Sequence, residues 1–207
     1  MDGRHAAGAP RAEVTPLRAV VWRRHRDNAS LECAVLSQLN TGYEITGEIV
    51  TAHEGEPLRV TYRLRCRPDW RSRALTVEQR HGLTASTLRL SVGSGGRWRM
   101  NGKRVDGLVE CTDVDLALRP STNALPINRL RLAVGETAEI TAAWVLFPGL
   151  EVVPARQSYE RRAERIYRYE SRDSGFRADI EVDELGLPIR YQDIWYQGIW
   201  ERIAERS

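Results

Sequence analysis

From Arg18 onward, polar and apolar residues alternate along most of this chain with a period of two. In Arg59 to Arg67, Val60, Tyr62, Leu64 and Cys66 fall on one side, with Arg59, Thr61, Arg63, Arg65 and Arg67 on the other. Phe176, Ala178, Ile180 and Val182 oppose Arg177, Asp179, Glu181 and Asp183 in the same way. Leu88, Leu90 and Val92 repeat the pattern, as do Ile140, Ala142 and Trp144. Successive side chains of a strand point to opposite faces, so this rhythm predicts antiparallel strands with one face buried and one in water. Turn signals interrupt it at Asn40-Thr41-Gly42, Glu54-Gly55-Glu56-Pro57, His81-Gly82, Gly93-Ser94-Gly95-Gly96, Asn101-Gly102, Pro148-Gly149 and Glu184-Leu185-Gly186. Asn-Gly and Gly-Gly centres supply the positive φ that tight hairpins need. The count of candidate strands, roughly a dozen or more, exceeds a simple sandwich. The predicted fold is all-β: a large curled antiparallel sheet, barrel or half-barrel.

One stretch departs from the rhythm. Ser121-Thr122-Asn123 followed by Ala124 to Leu130 has the look of a helix start, because Ser, Thr and Asn cap well and Pro126 is tolerated in a first turn. Leu125, Ile127 and Leu130 would then pack inward, and a return strand would begin near Arg129. A weaker helical pattern runs from Ile199 to Arg206. Residues Met1 to Pro16 lack periodicity and read as a disordered tail, leaving 17–207 as a single domain.

Composition narrows the function classes. The 31 basic and 28 acidic residues give a formal charge of only +3, and they are interspersed, so no basic patch points to nucleic acid. Cys33, Cys66 and Cys111 are far apart and form no Cys-x-x-Cys pair, which disfavours a zinc site and predicts buried free thiols. Free thiols, the lack of a signal-peptide pattern and the lack of a long apolar run point to a cytoplasmic protein without a membrane span. His5, His25, His53 and His81 lie in the tail or beside turns, and no Gly-x-Ser-x-Gly elbow occurs. No cofactor is expected. Gly93 to Gly96 lacks the lysine of a phosphate loop and reads as a hairpin turn.

The sharpest local feature is Asp113-Val114-Asp115-Leu116. On a strand the two carboxylates share a face roughly 7 Å apart, with Val114 and Leu116 on the core side. Such a pair could bind sugar hydroxyls, hold a cation or act as an acid/base pair. It could equally be an acidic surface face paired with Arg119 or Arg129. Trp22, Trp70, Trp98, Trp144, Trp195 and Trp200, with seven tyrosines, outnumber two phenylalanines. Trp and Tyr join an apolar body to a polar tip, which suits an amphipathic cavity as well as a β-core. Trp70, directly after the polar turn Arg67-Pro68-Asp69, is the strongest candidate outside the core.

Taken together, Tyr62 through Asp69-Trp70-Arg71-Ser72-Arg73, Arg97-Trp98, and Cys111 to Leu116 resemble a family of bacterial proteins known as putative glycolipid-binding. The most specific segment is Pro120 to Leu130, close to a family pattern Pro-Phe-Thr-Asn-Thr-Leu-Pro-Ile-Arg-Arg-Leu. Gln157-x-Tyr159, Tyr167-x-Tyr169 and Phe176 to Tyr191 extend the match. Ser121, Ala124 and Asn128 depart from that pattern. The resemblance implies a spiral β-roll of roughly fifteen strands around one helix. It also implies a likeness to periplasmic lipoprotein carriers and a possible homodimer. The expected function is non-enzymatic binding of a glycolipid or other long-chain amphiphile. Its headgroup would meet Asp113, Asp115, Asn123, Arg129 and Gln157, with Trp70, Arg71 and Tyr159 beside them. The alternatives are an enzyme acting on a sugar or ester through Asp113 and Asp115, and a dimeric structural protein without a small ligand.

Overall fold

Strands dominate residues 14–24, 30–117, 119–192 and 194–197, the residues that the computed structural model describes. In chain order they are β1 (Val14–Arg24), β2 (Leu31–Leu39), β3 (Gly42–His53), β4 (Glu56–Cys66), β5 (Ser72–His81), β6 (Thr84–Val92), β7 (Trp98–Met100) and β8 (Lys103–Arg104). Then come β9 (Asp113–Leu116), the helix α1 (Ala124–Leu130), β10 (Thr137–Val145), β11 (Val152–Ala163) and β12 (Ile166–Ser171). The last are β13 (Arg177–Val182), β14 (Pro188–Tyr191) and β15 (Trp195–Gln197). Each of the seven predicted turns falls between strands. β1 begins at Val14, inside the stretch read as a tail; residues 1–13 and the helical pattern at Ile199 to Arg206 lie outside the described residues.

All fifteen strands join one curled sheet in the order β8-β7-β6-β5-β4-β3-β2-β1-β15-β14-β13-β12-β11-β10-β9. Two meanders, β1 to β8 and β10 to β15, are stitched together by β1 and β15, with Trp22 opposite Gln197 and Arg24 opposite Trp195. Every pair is antiparallel except β9 with β10. That pair is parallel because the chain crosses over through α1, whereas antiparallel neighbours need only a short hairpin. The edge strand β9 comes back to the start of β5, where Ser72 N–H donates to Thr112 O at 3.2 Å and its hydroxyl accepts from Val114 N–H at 2.8 Å.

The predicted inward faces are buried or half-buried, except for Phe176, which is exposed. Val60, Tyr62, Leu64 and Cys66 join Trp22, Ile45, Ile49, Leu75, Leu88, Leu90 and Trp98 in one large apolar cluster. Ile140, Tyr159, Tyr167, Ile180 and Val182 form a second. Helix α1 feeds both, Leu125 packing into the first and Ile127 into the second. Each such side chain contributes about 1.5–3 kcal/mol on burial, so α1 is the plug on which the two halves of the sheet close.

Three expectations fail. β9 and β10 are buried on both faces: Asp113 sinks beside Val114, and Ala142 beside Ala143, because the curl covers one side of each and α1 the other. The return strand begins at Thr137, eight residues after Arg129, which instead ends the helix. All three cysteines are free, but Cys33 is exposed, because Glu32 and Ala34 take the inward register of β2.

Candidate functional site

The short β9 and the segment entering α1 carry a run of polar residues into the interior. Ser121, Thr122 and Asn123 form a 3-10 turn before α1, and none of their side chains caps the helix. Their side chains bond to the sheet and, at Asn123, also to the turn before the helix. Ser121 Oγ donates to Glu32 Oε1 at 2.5 Å. Thr122 Oγ1 donates to Asp115 Oδ1 at 2.9 Å. Asn123 Oδ1 accepts the Tyr159 hydroxyl at 2.9 Å, while its amide donates to Pro120 O at 3.2 Å. Burial makes each bond obligatory, since an unpaired polar group inside the fold costs about 1–3 kcal/mol.

The two aspartates of β9 have separate roles. Asp113 is 1% exposed and is gripped by Arg129, Nε donating to Oδ1 at 3.1 Å and Nη2 to Oδ2 at 2.5 Å. Thr112 Oγ1 adds a third bond at 2.8 Å. This fork clamps β9 to the end of α1. Asp115, two residues on, accepts from Gln157 Nε2 at 2.7 Å as well as from Thr122, and it lines a cavity. Burial, reinforced by the negative charge of Asp113, outweighs those two bonds and pushes its carboxyl up to about 6.

The cavity encloses about 590 Å³, within the roughly 300–1,000 Å³ of small-molecule sites. Its polar end is formed by Asp115, Asn123 and Gln157, and its walls by Trp144, Tyr169, Phe176, Tyr191 and Trp195. Tyr169, Phe176 and Tyr191 pack on one another at centroid separations of 6.2–6.5 Å. Arg24 and Arg119 also reach this cavity. Burial raises the hydroxyls of Tyr159, Tyr169 and Tyr191, so the walls Tyr169 and Tyr191, and Tyr159 behind Asn123, are neutral.

Of the residues singled out from the sequence, Asp115, Asn123 and Gln157 meet at this cavity, and Tyr159 supports Asn123 from behind. Asp113 and Arg129 form their own ion pair. Trp70 lies elsewhere: it is buried, has a φ of 66° and stacks on Tyr43 with centroids 4.2 Å apart, beside a separate groove. Arg71 pairs at the surface with Asp69.

Sequence reasoning missed a second polar knot. Glu32 is fully buried and accepts both Tyr62 OH, at 2.6 Å, and Ser121. Tyr62 reaches it by lying across Gly47, where any Cβ would overlap the ring. Burial raises the Glu32 carboxyl and holds the Tyr62 hydroxyl well above its usual range. A carboxylate on the apolar register of β2, beside a glycine in the middle of the neighbouring strand (Gly47, opposite Ala34), was the available signal. Among the described residues no group of His, Cys, Asp and Glu could hold a metal ion, and no helix is long and apolar enough to cross a membrane.

Residues 19–197 match the family described as "Putative glycolipid-binding". The chain is also similar to a DUF1089 family protein from Pseudomonas aeruginosa, known from a crystal structure, with a TM-score of 0.75 and 32% identity over 84% of this chain and 94% of that one. No curated protein matches it.

Proposed function

The chain belongs to the family described as "Putative glycolipid-binding", and from that premise we propose that it binds a long-chain amphiphile without transforming it. The observation that carries this reading is the cavity of about 590 Å³, walled by aromatic rings and polar at one end. The rings of Trp144, Tyr169, Phe176 and Tyr191 take the apolar chain, which gains about 0.8 kcal/mol for each methylene buried. Asp115, Asn123 and Gln157 take headgroup hydroxyls, and the amide of Asn123 and the carboxyl of Asp115 offer both donors and acceptors. Asp113 and Arg129 act indirectly, by holding β9 against α1. Trp70 and Arg71 take no part.

Native mass spectrometry of the full chain with a dodecyl glucoside tests the reading. A one-to-one adduct is expected from the wild type, and its loss from Ala155→Trp, which fills the cavity. A wild type that holds no long-chain amphiphile at all would sink it.

One observation favours a second reading, catalysis on a sugar or ester. Asp115 faces a cavity with its carboxyl pushed up to about 6, the range of a general acid. Asp113, held by Arg129, would then be no partner for it, and Asp115 would act alone. An Asp115→Asn protein that binds a glycoside or ester as before but loses its turnover would establish that reading.

A further inference from the structure

Arg119 is 8% exposed, yet its charge is met by no carboxylate within ion-pair distance among the described residues. Among the described residues its side chain makes one hydrogen bond, from Nη1 to Ser30 Oγ at 2.7 Å, and Nε is buried without a partner. A guanidinium has five N–H donors, and buried charges are normally paired and hydrogen-bonded. The carboxylate whose charge acts on it is Glu32; its Oε1 is taken by Tyr62 and Ser121, and its Oε2 is buried without a hydrogen-bond partner among the described residues. Burial raises the Glu32 carboxyl, and Glu32 makes no ion pair with Arg119.

The surroundings hold this cation at the cavity wall. Trp195 lies beneath it, the guanidinium carbon 5.5 Å from the ring centroid. Arg24 lines the same cavity, and its positive charge acts on Arg119. Two like charges side by side destabilise each other, and an anion between them would reverse the sign of that cost. The charges acting on Arg119 are those of Glu32, Arg24 and Tyr62, whereas Asp115 feels chiefly Asp113. The cavity lining thus carries the cations Arg24 and Arg119 as well as the polar set of Asp115, Asn123 and Gln157.

Resting on the amphiphile reading above, we propose that Arg119, with Arg24, binds an anionic oxygen group, so that the ligand of this cavity is an acidic amphiphile. A carboxylate, sulfate or phosphate would supply the acceptors that the guanidinium lacks, in the planar geometry that arginine favours. The chain of the ligand then runs from this group along the aromatic wall. Hydroxyls elsewhere on its headgroup would meet Asp115, Asn123 and Gln157.

Titration calorimetry of the full chain at pH 8 tests this with dodecanoate, methyl dodecanoate, acetate and inorganic phosphate. Dodecanoate is expected to bind at least about tenfold more tightly than its methyl ester, the effect of a charge-assisted hydrogen bond. Arg119→Gln should bring the dodecanoate affinity down to that of the ester. Arg24→Gln, at a less buried position, should lower it in part and serves if Arg119→Gln fails to fold. Equal wild-type affinity for acid and ester overturns the anion site and leaves the amphiphile reading standing. Binding of neither long-chain compound, nor of the small anions, overturns both. Acetate or phosphate binding as tightly as dodecanoate would keep the anion site but assign it to a free anion, against the amphiphile reading.

Discussion

Asp115 is the residue at which this protein's stability should answer to pH. Its carboxyl, ordinarily near 3.8, is pushed up to about 6 by burial and by Asp113. Between those values the folded chain holds a proton that the unfolded chain has released, so stability falls as pH rises and the penalty is complete above the upper value. Glu32 is raised too, by burial, and its contribution has the same sign. The comparison of wild type with Asp115→Asn isolates the first. In urea unfolding, the wild type should lose about 2 kcal/mol relative to Asp115→Asn between pH 4 and pH 6. Parallel pH profiles for the two proteins would contradict this. Gly47 shows the same dependence of one residue on its surroundings: it is bare so that Tyr62 can cross the strand to Glu32.

At the scale of elements, the segment from β9 through α1 does most to join the halves of the fold. Its composition suggests a capped helix start, and a helix does start there. The hydroxyls of Ser121 and Thr122 nevertheless go to Glu32 and Asp115, because buried acceptors on β2 and β9 compete for them more strongly than the helix N-terminus does. The helix is held at its far end by the Arg129–Asp113 pair and by Asn128, whose amide donates to Leu185 O at 2.9 Å. Removing one member of a buried ion pair strands the other, at a cost of about 3–5 kcal/mol. Arg129→Met should lower unfolding stability by that amount, and adding Asp113→Asn should recover part of it. A loss under about 1 kcal/mol in guanidinium titrations would mean that the pair is solvated and weak, as surface pairs are.

At the scale of the molecule, the curl is closed where β9 meets the start of β5, through the backbone and side chain of Ser72. Ser72→Ala removes the acceptor for the buried Val114 N–H. It should cost about 1–3 kcal/mol, and hydrogen exchange should speed up at Val114 while the β1–β2 amides keep their protection. Uniform acceleration across the sheet would instead mean that the molecule opens only as a whole.

Much of this architecture is legible in the sequence. The period of two in β4, β6 and β13 follows from side-chain geometry along a strand, and the Gly and Asn turns follow from the φ values they allow, so strands, hairpins and inward faces are local properties. Asp115 stood out as one of two carboxylates on one face of a strand, and Asn123 and Gln157 through the family resemblance. What only the tertiary structure decided is where the curl puts a second layer. Covering β9 on both faces turned a presumed surface aspartate into the ion pair of Asp113 with Arg129. The same covering left Asp115 facing a cavity and brought Glu32, Tyr62 and Ser121, far apart in the chain, into one knot. Hydrogen-bond partners and charge compensation depend on distance in space, and no local pattern encodes that distance until the sheet has wrapped around its helix.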